Sequence, residues 1–346
     1  MTPYEQTLNE LRGQPRRWLV TGVAGFIGSN LLESLLAAHQ RVTGLDNLTT
    51  GKSANVELAL RAVEAGAAKR FEFIEGDIRS ADTCRRACQN VDVVLHHAAQ
   101  VSVPASLEEP LVTHEVNATG FLNVLMAARQ TGVRRVVYAS SCAVYGDSPN
   151  LPLTEEEPVR PLSPYASSKL ANEGYAAAFA NTSGPEAVGL RYFNVFGSRQ
   201  DPKGVYAAVI PQWIFAMLQG QAVRVFGDGS TTRDFCPVSN VVQANILAAL
   251  APLSASRHEV VNVAVGMRTS LTELFEAIRA KLQPTYPQLR EVQPLYEPFR
   301  PGEIRHSHAQ IAKARQLLGY APTHSVEQGL EETVAWFVRS MESHRR

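Results

Sequence analysis

Cysteine is scarce in this chain: four in 346 residues, at Cys84, Cys88, Cys142 and Cys236. Thiols so few make no disulfide framework and point to a reduced, cytoplasmic protein. Cys84 and Cys88 stand one helical turn apart. No second close pair completes four zinc ligands, and His96 and His97 fall in an apolar run that reads as buried strand, so no metal site is expected. Net charge is missing too, because 33 basic side chains balance 33 acidic ones. That removes the electrostatic footprint of a nucleic-acid binder and the polybasic patch of a membrane-surface protein. Nor is there a long apolar run. The uncharged stretch 204–223 is interrupted by Pro211, Gln212, Gln219, Gly220 and Gln221. It is too polar to cross a bilayer and reads as a loop and a core helix. Glu5 and Glu10 stand where a signal peptide would need a basic start and an apolar run, so no secretory signal is expected. Gly and Pro, at 23 and 20, are near average, which excludes collagen-like and low-complexity chains.

What is present is a rhythm. After a polar, helix-compatible extension of 17 residues come short apolar strands at 18–21, 41–46, 71–75, 92–96, 135–140 and 187–192. Between them lie helical patterns, notably 26–39, 107–131 and 164–181. Strands apolar on both faces alternating with helices predict a doubly wound parallel sheet, a Rossmann-like α/β fold. Past Tyr192 the rhythm breaks and prolines gather at Pro284, Pro287, Pro294, Pro298 and Pro301, with helices expected at 308–318 and 326–341. A smaller C-terminal α/β lobe is therefore expected. The division drawn is a dinucleotide-binding domain of 1–193 and 235–264, with a substrate lobe of 194–234 and 265–346.

Gly22-Val-Ala-Gly25-Phe-Ile-Gly28 lies between the first strand and the first helix. Such a turn needs one glycine to bend, one to let backbone N–H groups approach a pyrophosphate and one to pack the helix closely. The spacing is GxxGxxG rather than the usual GxGxxG. Asp46 ends the second strand 18 residues after the last glycine, near the ~20 expected of a carboxylate on the adenosine ribose. Asn47, Leu48 and Thr49 follow it without an arginine for a 2′-phosphate, which favours NAD over NADP. Tyr165 and Lys169, four apart at a helix start, share a face. An ammonium and a positive nicotinamide ring both favour phenolate, and a phenolate takes a hydroxyl proton as hydride leaves the same carbon. Ser140, Ser141 and Cys142 end a strand, where ligands gather in open parallel sheets. One hydroxyl there would share the substrate oxygen with Tyr165.

These elements, with the segments TGVAGFIGSN, GLDNLTTG, EGDIR, HHAAQ, SSCAVYGD, SPYASSK, GLRYFNVFG, GDGSTTRDF and RPGEIRHS, resemble the extended short-chain dehydrogenase/reductase family over nearly the whole chain. Within it the chain looks most like UDP-hexose 4-epimerases of the UDP-N-acetylglucosamine type. The resemblance implies Tyr165 as base, Lys169 as its electrostatic partner and Ser141 as the hydrogen-bonding serine. It implies NAD held by Gly22, Gly25, Phe26, Ile27, Gly28, Asp46, Asn47 and Gly51. Asp77 and Ile78 would flank adenine, Ala98 and Ala99 line the cleft, and Asn117 support it. Asn194, Arg233 and Arg300 match positions that hold the diphosphate of a UDP-sugar, Phe226 the nucleobase wall and Glu303 the uridine ribose. Ser307 stands where galactose-type relatives carry a bulky aromatic beside carbon 2. The family pairs the helices at 107–131 and 164–181 into a homodimer. Family dehydratases and decarboxylases carry acidic residues where Cys142 and Ala143 stand here, which favours simple epimerisation. Ala105 departs from the basic or bulkier residue of close relatives. The alternatives are a nucleotide-sugar dehydratase or UDP-uronate decarboxylase, and, from another class, a non-catalytic NAD-binding module.

Overall fold

Period-two alternation along each strand splits the sheet's side chains between two cores. Trp18 and Val20 enter one core and Leu19 the other; Val93 and Leu95 enter the first and Val94 the second. The computed structural model of the chain describes residues 1–203, 207–253, 256–299 and 304–345. Six strands, β1 (Arg17–Thr21), β2 (Arg41–Asp46), β3 (Phe71–Glu75), β4 (Val93–His96), β5 (Arg135–Ser141) and β6 (Glu186–Tyr192), join His258–Val263 in one sheet. All pairings are parallel, in the order His258–Val263, β6, β5, β4, β1, β2, β3. The expected Rossmann-like fold is therefore present. The chain runs outward from β1 to β3 and resumes at β4 on the other side of β1. The order reverses between β1 and β4, the point where open parallel sheets form their ligand crevice at the carboxyl ends of the strands.

On one face pack the helices Phe26–Ala37 and Val238–Leu250, on the other Ala81–Ala87, Gly120–Thr131 and Pro164–Ala180. The helix expected over 107–131 is not one piece. Val103–Glu108 and Pro110–His114 are separate helices, and a π-helical turn, Glu115–Thr119, precedes Gly120–Thr131. Pro110 is the cause of the first break: a residue before proline is disfavoured in helical geometry, and Glu109 sits at φ −128°, ψ 65°. The polar N-terminal extension forms the helix Pro3–Gly13, closed by reciprocal Thr2–Glu5 capping bonds. It docks through buried Leu11 and through Gln40, whose amide donates to the Leu11 and Ala38 carbonyls and accepts from the Arg16 N–H and the Trp18 indole.

A third core gathers Phe196, Trp213, Phe235, Phe275, Leu330 and Phe337 away from the sheet. Within the range expected for that lobe, Ala309, Ile311, Ala314, Leu318 and Tyr320 pack instead with the first core. The helix expected from 308 starts at Ala312. The residues before it form an extended strap in which His306 bridges Thr232 and Ala309 bridges Leu153. The Gln310 side chain caps the helix by accepting the Ile311 and Ala312 N–H groups. No helix among the described residues is long and apolar enough to cross a membrane.

Candidate active site

The glycine turn sits at the mouth of the crevice. Gly22 has φ +70°, and a Cβ there would stand 2.7 Å from the Ala98 nitrogen on the opposite wall. A Cβ on Gly28 would fall 2.1 Å from the Gly22 carbonyl oxygen, so the helix packs on the turn only because residue 28 has no side chain. The helix begins at Gly25 with no side-chain cap. Its first N–H groups therefore have no side-chain cap among the described residues, the arrangement that binds phosphate. Phe26 and Ile27 form that first turn. Asp46 is 7% exposed; its carboxylate accepts the Ala24 and Leu48 N–H groups, and Gly51 packs against it. Each carboxylate oxygen keeps a second lone pair for a ribose hydroxyl. Asn47 donates to Asp77, joining two of the residues assigned to the adenosine end. Arg79 forks onto Asp77 and holds its carboxyl down at about 2. The sequence reading did not include Arg79, which lies 32 residues from Asn47. Its guanidinium is shared between Asp77 and Glu115. A turn that a Cβ would fill, an uncapped helix start and a fixed carboxylate together fit a dinucleotide.

Deeper in the crevice, Asn117 is the strut. From the π-helical turn its amide accepts the Gln100 N–H and donates to the Gln100 carbonyl and to Ser168. It thereby ties the Ala98–Ala99 wall to the Pro164–Ala180 helix. Ser163 caps that helix by accepting the Ala166 N–H, with Pro164 in its first turn. Tyr165 and Lys169 point to the end of β5. Lys169 Nζ donates to the Ala139 carbonyl at 3.0 Å and lies 5.8 Å from the centre of the Tyr165 ring. Burial lowers the ammonium to about 8. Burial also lifts the Tyr165 phenol to about 12, against which a hydrogen bond with Ser141 draws it down. Ser141 Oγ accepts the Ala143 N–H, which leaves its own hydroxyl proton for the site. Cys142 is pushed up to about 11 by burial, with Arg233 and an Asn194 backbone bond acting downward.

That cysteine lies near the next group of expected site residues. Asn194, at a strained φ of +22°, donates to the Asp234 carbonyl. Arg233 Nη1 donates to the Thr232 and Arg305 carbonyls. Buried Asp234 in turn accepts from Val265, Gly266 and Ala309 and so pins the strap. Ser307 lies on that strap, 8% exposed, its hydroxyl without a partner among the described residues. It is no surface residue. His306 and His308 on either side of it are half-buried, bonded to Thr232 Oγ1 and the Gly266 carbonyl. Phe226 ends a short strand paired with Leu295–Glu297. Arg300 and Glu303 lie outside the described residues.

The sequence reading missed a buried polar chain beneath the site. Arg191 donates twice to Glu173, at 2.9 and 2.7 Å, and once to the Tyr145 hydroxyl, which donates to Asn262. Glu173 is eight residues beyond Tyr165 on one helix face, a spacing that would have drawn attention to it. The other members come from two distant strands and the turn after β5, and no sequence pattern links them.

Known proteins resemble the chain in sequence and in fold. Residues 18–264 match the model of the NAD dependent epimerase/dehydratase family. A putative UDP-glucose 4-epimerase of Methanocaldococcus jannaschii is 38% identical over 320 residues, covering 92% of this chain and 97% of that protein. The structure of UDP-N-acetylglucosamine 4-epimerase from Methanobrevibacter ruminantium M1, in complex with UDP-N-acetylmuramic acid, superimposes with a TM-score of 0.86 at 37% identity, over 94% of this chain and 99% of that one. UDP-glucose 4-epimerase of Thermus thermophilus, in complex with NAD, does so with a TM-score of 0.80 at 36% identity, over 93% and 99%.

Proposed function

The chain belongs to the NAD dependent epimerase/dehydratase family, and from that premise we propose that it is an NAD-dependent UDP-hexose 4-epimerase interconverting UDP-N-acetylglucosamine and UDP-N-acetylgalactosamine, or their uronic acids. NAD would be held by the glycine turn, Asp46 and the Ala98–Ala99 wall, and when bound it supplies a reversible hydride acceptor at the sugar's carbon 4 and a positive charge beside the phenol. As a phenolate, Tyr165 takes the proton of the sugar 4-hydroxyl while carbon 4 gives up its hydride, and it returns the proton to the same oxygen when hydride comes back after the 4-keto sugar has turned over. Ser141 donates to that oxygen and keeps it in line. Lys169, anchored on the Ala139 carbonyl, sets its charge beneath the phenol ring. A base that must serve both faces requires the nucleotide to be gripped and the sugar to stay loose. Arginine pairing to a diphosphate gives such a grip. Arg233 would supply it together with Asn194, and Arg300, Glu303 and Phe226 would be further nucleotide contacts. The division of labour proposed is dinucleotide on the sheet domain and UDP-sugar against the lobe.

The observation that carries the epimerase reading is the strand end Ser141–Cys142–Ala143. It presents a serine to Tyr165 but no carboxylate for the extra proton transfer of an elimination or decarboxylation. A non-catalytic NAD module would have no use for a buried lysine aimed at a buried phenol. The acetamido preference rests on Ser307, a small side chain enclosed on the strap. Exposed Leu107, Leu111, Met126 and Tyr175 on the paired helices support a homodimer. The functional test is to incubate the protein with UDP-N-acetylglucosamine and separate the epimers; a product of altered mass would refute epimerisation. Ser307→Tyr should then lower kcat/KM for the acetamido sugars by roughly 5- to 150-fold, the range set by overpacking, and largely spare UDP-glucose and UDP-galactose. An unchanged ratio would retire the pocket argument, and a wild type preferring plain hexoses would overturn the substrate assignment.

A further inference from the structure

Three successive residues at the end of β5 each hold one residue of the Pro164–Ala180 helix. Ser141 bonds Tyr165. The Ala139 carbonyl accepts Lys169 at 3.0 Å. Ser140 Oγ donates to Glu173 at 2.6 Å. The helix residues are spaced i, i+4 and i+8, so they form one line along the face that meets the strand. The first two rungs contain the reacting groups; the third contains none. It is also the only one of the three fixed from behind by an ion pair, since Arg191 clamps Glu173 through both carboxylate oxygens. All three members of that rung, Ser140, Glu173 and Arg191, are buried. The clamp does not end there. Arg191 donates to Tyr145 at 2.8 Å, and Tyr145 donates to Asn262 at 2.7 Å. The Asn262 amide donates to the Leu153 and Gln310 carbonyls, the latter at the end of the strap that carries Ser307.

We propose that Glu173, held by Arg191 and Ser140, is a positioning residue that fixes the register of Tyr165 and Lys169 against the end of β5, and that Tyr145 and Asn262 tie this register to the substrate strap. The proposal rests on the 4-epimerase reading above. Glu173 touches neither reacting group; it holds the helix that bears both. A buried carboxylate bonded on both oxygens permits little sliding of helix against strand, because any shift leaves a charge unpaired away from water. Cofactor-binding residues elsewhere in the crevice would not feel its loss, whereas the distance between Lys169 and the phenol would.

The test compares wild type, Glu173→Gln and Ser140→Ala. Ser140→Ala removes the third rung and leaves the ion pair whole, so it decides the matter even where Glu173→Gln fails to fold. Expected for Ser140→Ala is a kcat lower by roughly tenfold to 100-fold, the scale of small misplacements, with KM for UDP-N-acetylglucosamine within about twofold. The acid limb of its kcat profile should move to higher pH, because a displaced Lys169 no longer favours phenolate. Amide hydrogen exchange over 163–170 should quicken in the same variant. A lower melting temperature with kcat and its pH limb unmoved would assign Glu173 a structural role only and overturn the proposal, as would unchanged kcat with unchanged exchange. A wild type that epimerises no UDP-sugar would instead refute the functional reading; the exchange arm then decides the register claim by itself, with unaltered exchange overturning it.

Discussion

Gly28→Ala places one methyl group where the phosphate turn and its helix meet. The new Cβ would lie 2.1 Å from the Gly22 carbonyl oxygen, 2.8 Å from its carbon and 2.9 Å from the Val23 Cα. Ordinary contact is about 3.5 Å or more, so the overlap exceeds an ångström, and every obstructing atom is backbone with no rotamer to yield. Overpacking of this kind costs about 1–3 kcal/mol, and rigid neighbours put this site at the upper end. The strain has two outlets. If the turn keeps its shape, stability falls. With about 2.1 cal/mol/K of unfolding entropy per residue, ~3 kcal/mol over the whole chain is roughly a 4 °C loss in Tm. If the helix backs away, the N–H groups leave the pyrophosphate, and the same energy appears as roughly 150-fold weaker NAD binding. The assay is paired: Tm by calorimetry, and NAD released from the purified protein on denaturation. Wild type should carry NAD through purification, since a closed redox cycle has no use for release. Gly66→Ala is the control, because nothing lies within 4 Å of a Cβ at that exposed site, and both readings should match wild type. Unchanged Tm together with full NAD content in Gly28→Ala would refute the packing argument. An empty wild type that prefers added NADP would refute the cofactor reasoning.

Two further outcomes follow from the buried pair on the Pro164–Ala180 helix. Tyr165→Phe keeps the ring and loses the proton acceptor, so turnover should drop by at least ~100-fold while UDP binding, measured by titration calorimetry, stays near wild type; near-normal turnover would show the base misassigned. Lys169→Met should reduce turnover and change how stability depends on pH. Burial lowers the ammonium from 10.5 to about 8, so between those values the unfolded chain holds the extra proton and wild-type stability rises with pH. The wild-type Tm should therefore gain on that of Lys169→Met from pH 8 towards 10.5, and a constant gap would show that Lys169 is not buried as described.

The sheet was legible because its signal is local. Strands 41–46 and 71–75 read from apolar runs coincide with the structure; the glycine turn and Asp46 stand at strand ends where an open parallel sheet puts its ligands, and the Tyr165–Lys169 pair opens a helix whose spacing is visible in the sequence. The 107–131 helix was misread because apolar periodicity outweighed Pro110, although a proline restricts its predecessor whatever the pattern around it. The start of the helix expected over 308–318 was misread because the strap before Ala312 is held extended by bridges to Thr232 and Leu153, which no helical propensity can report.

The sequence by itself determined the layered α/β fold, the place of the dinucleotide turn and the pairing of phenol with ammonium, since each depends on residues within a few positions of one another. Only the tertiary structure decided what surrounds them. It brought Arg79 to Asp77 beside Asn47, buried Ser307 on a strap that Asp234 pins, and closed Glu173 onto Ser140, Arg191 and, through Tyr145, Asn262. Apart from the local Arg79–Asp77 pair, those groups lie far apart along the chain, and whether a charge among them is paired or a hydroxyl enclosed is settled by packing, where the penalty for an unpaired buried group selects one arrangement.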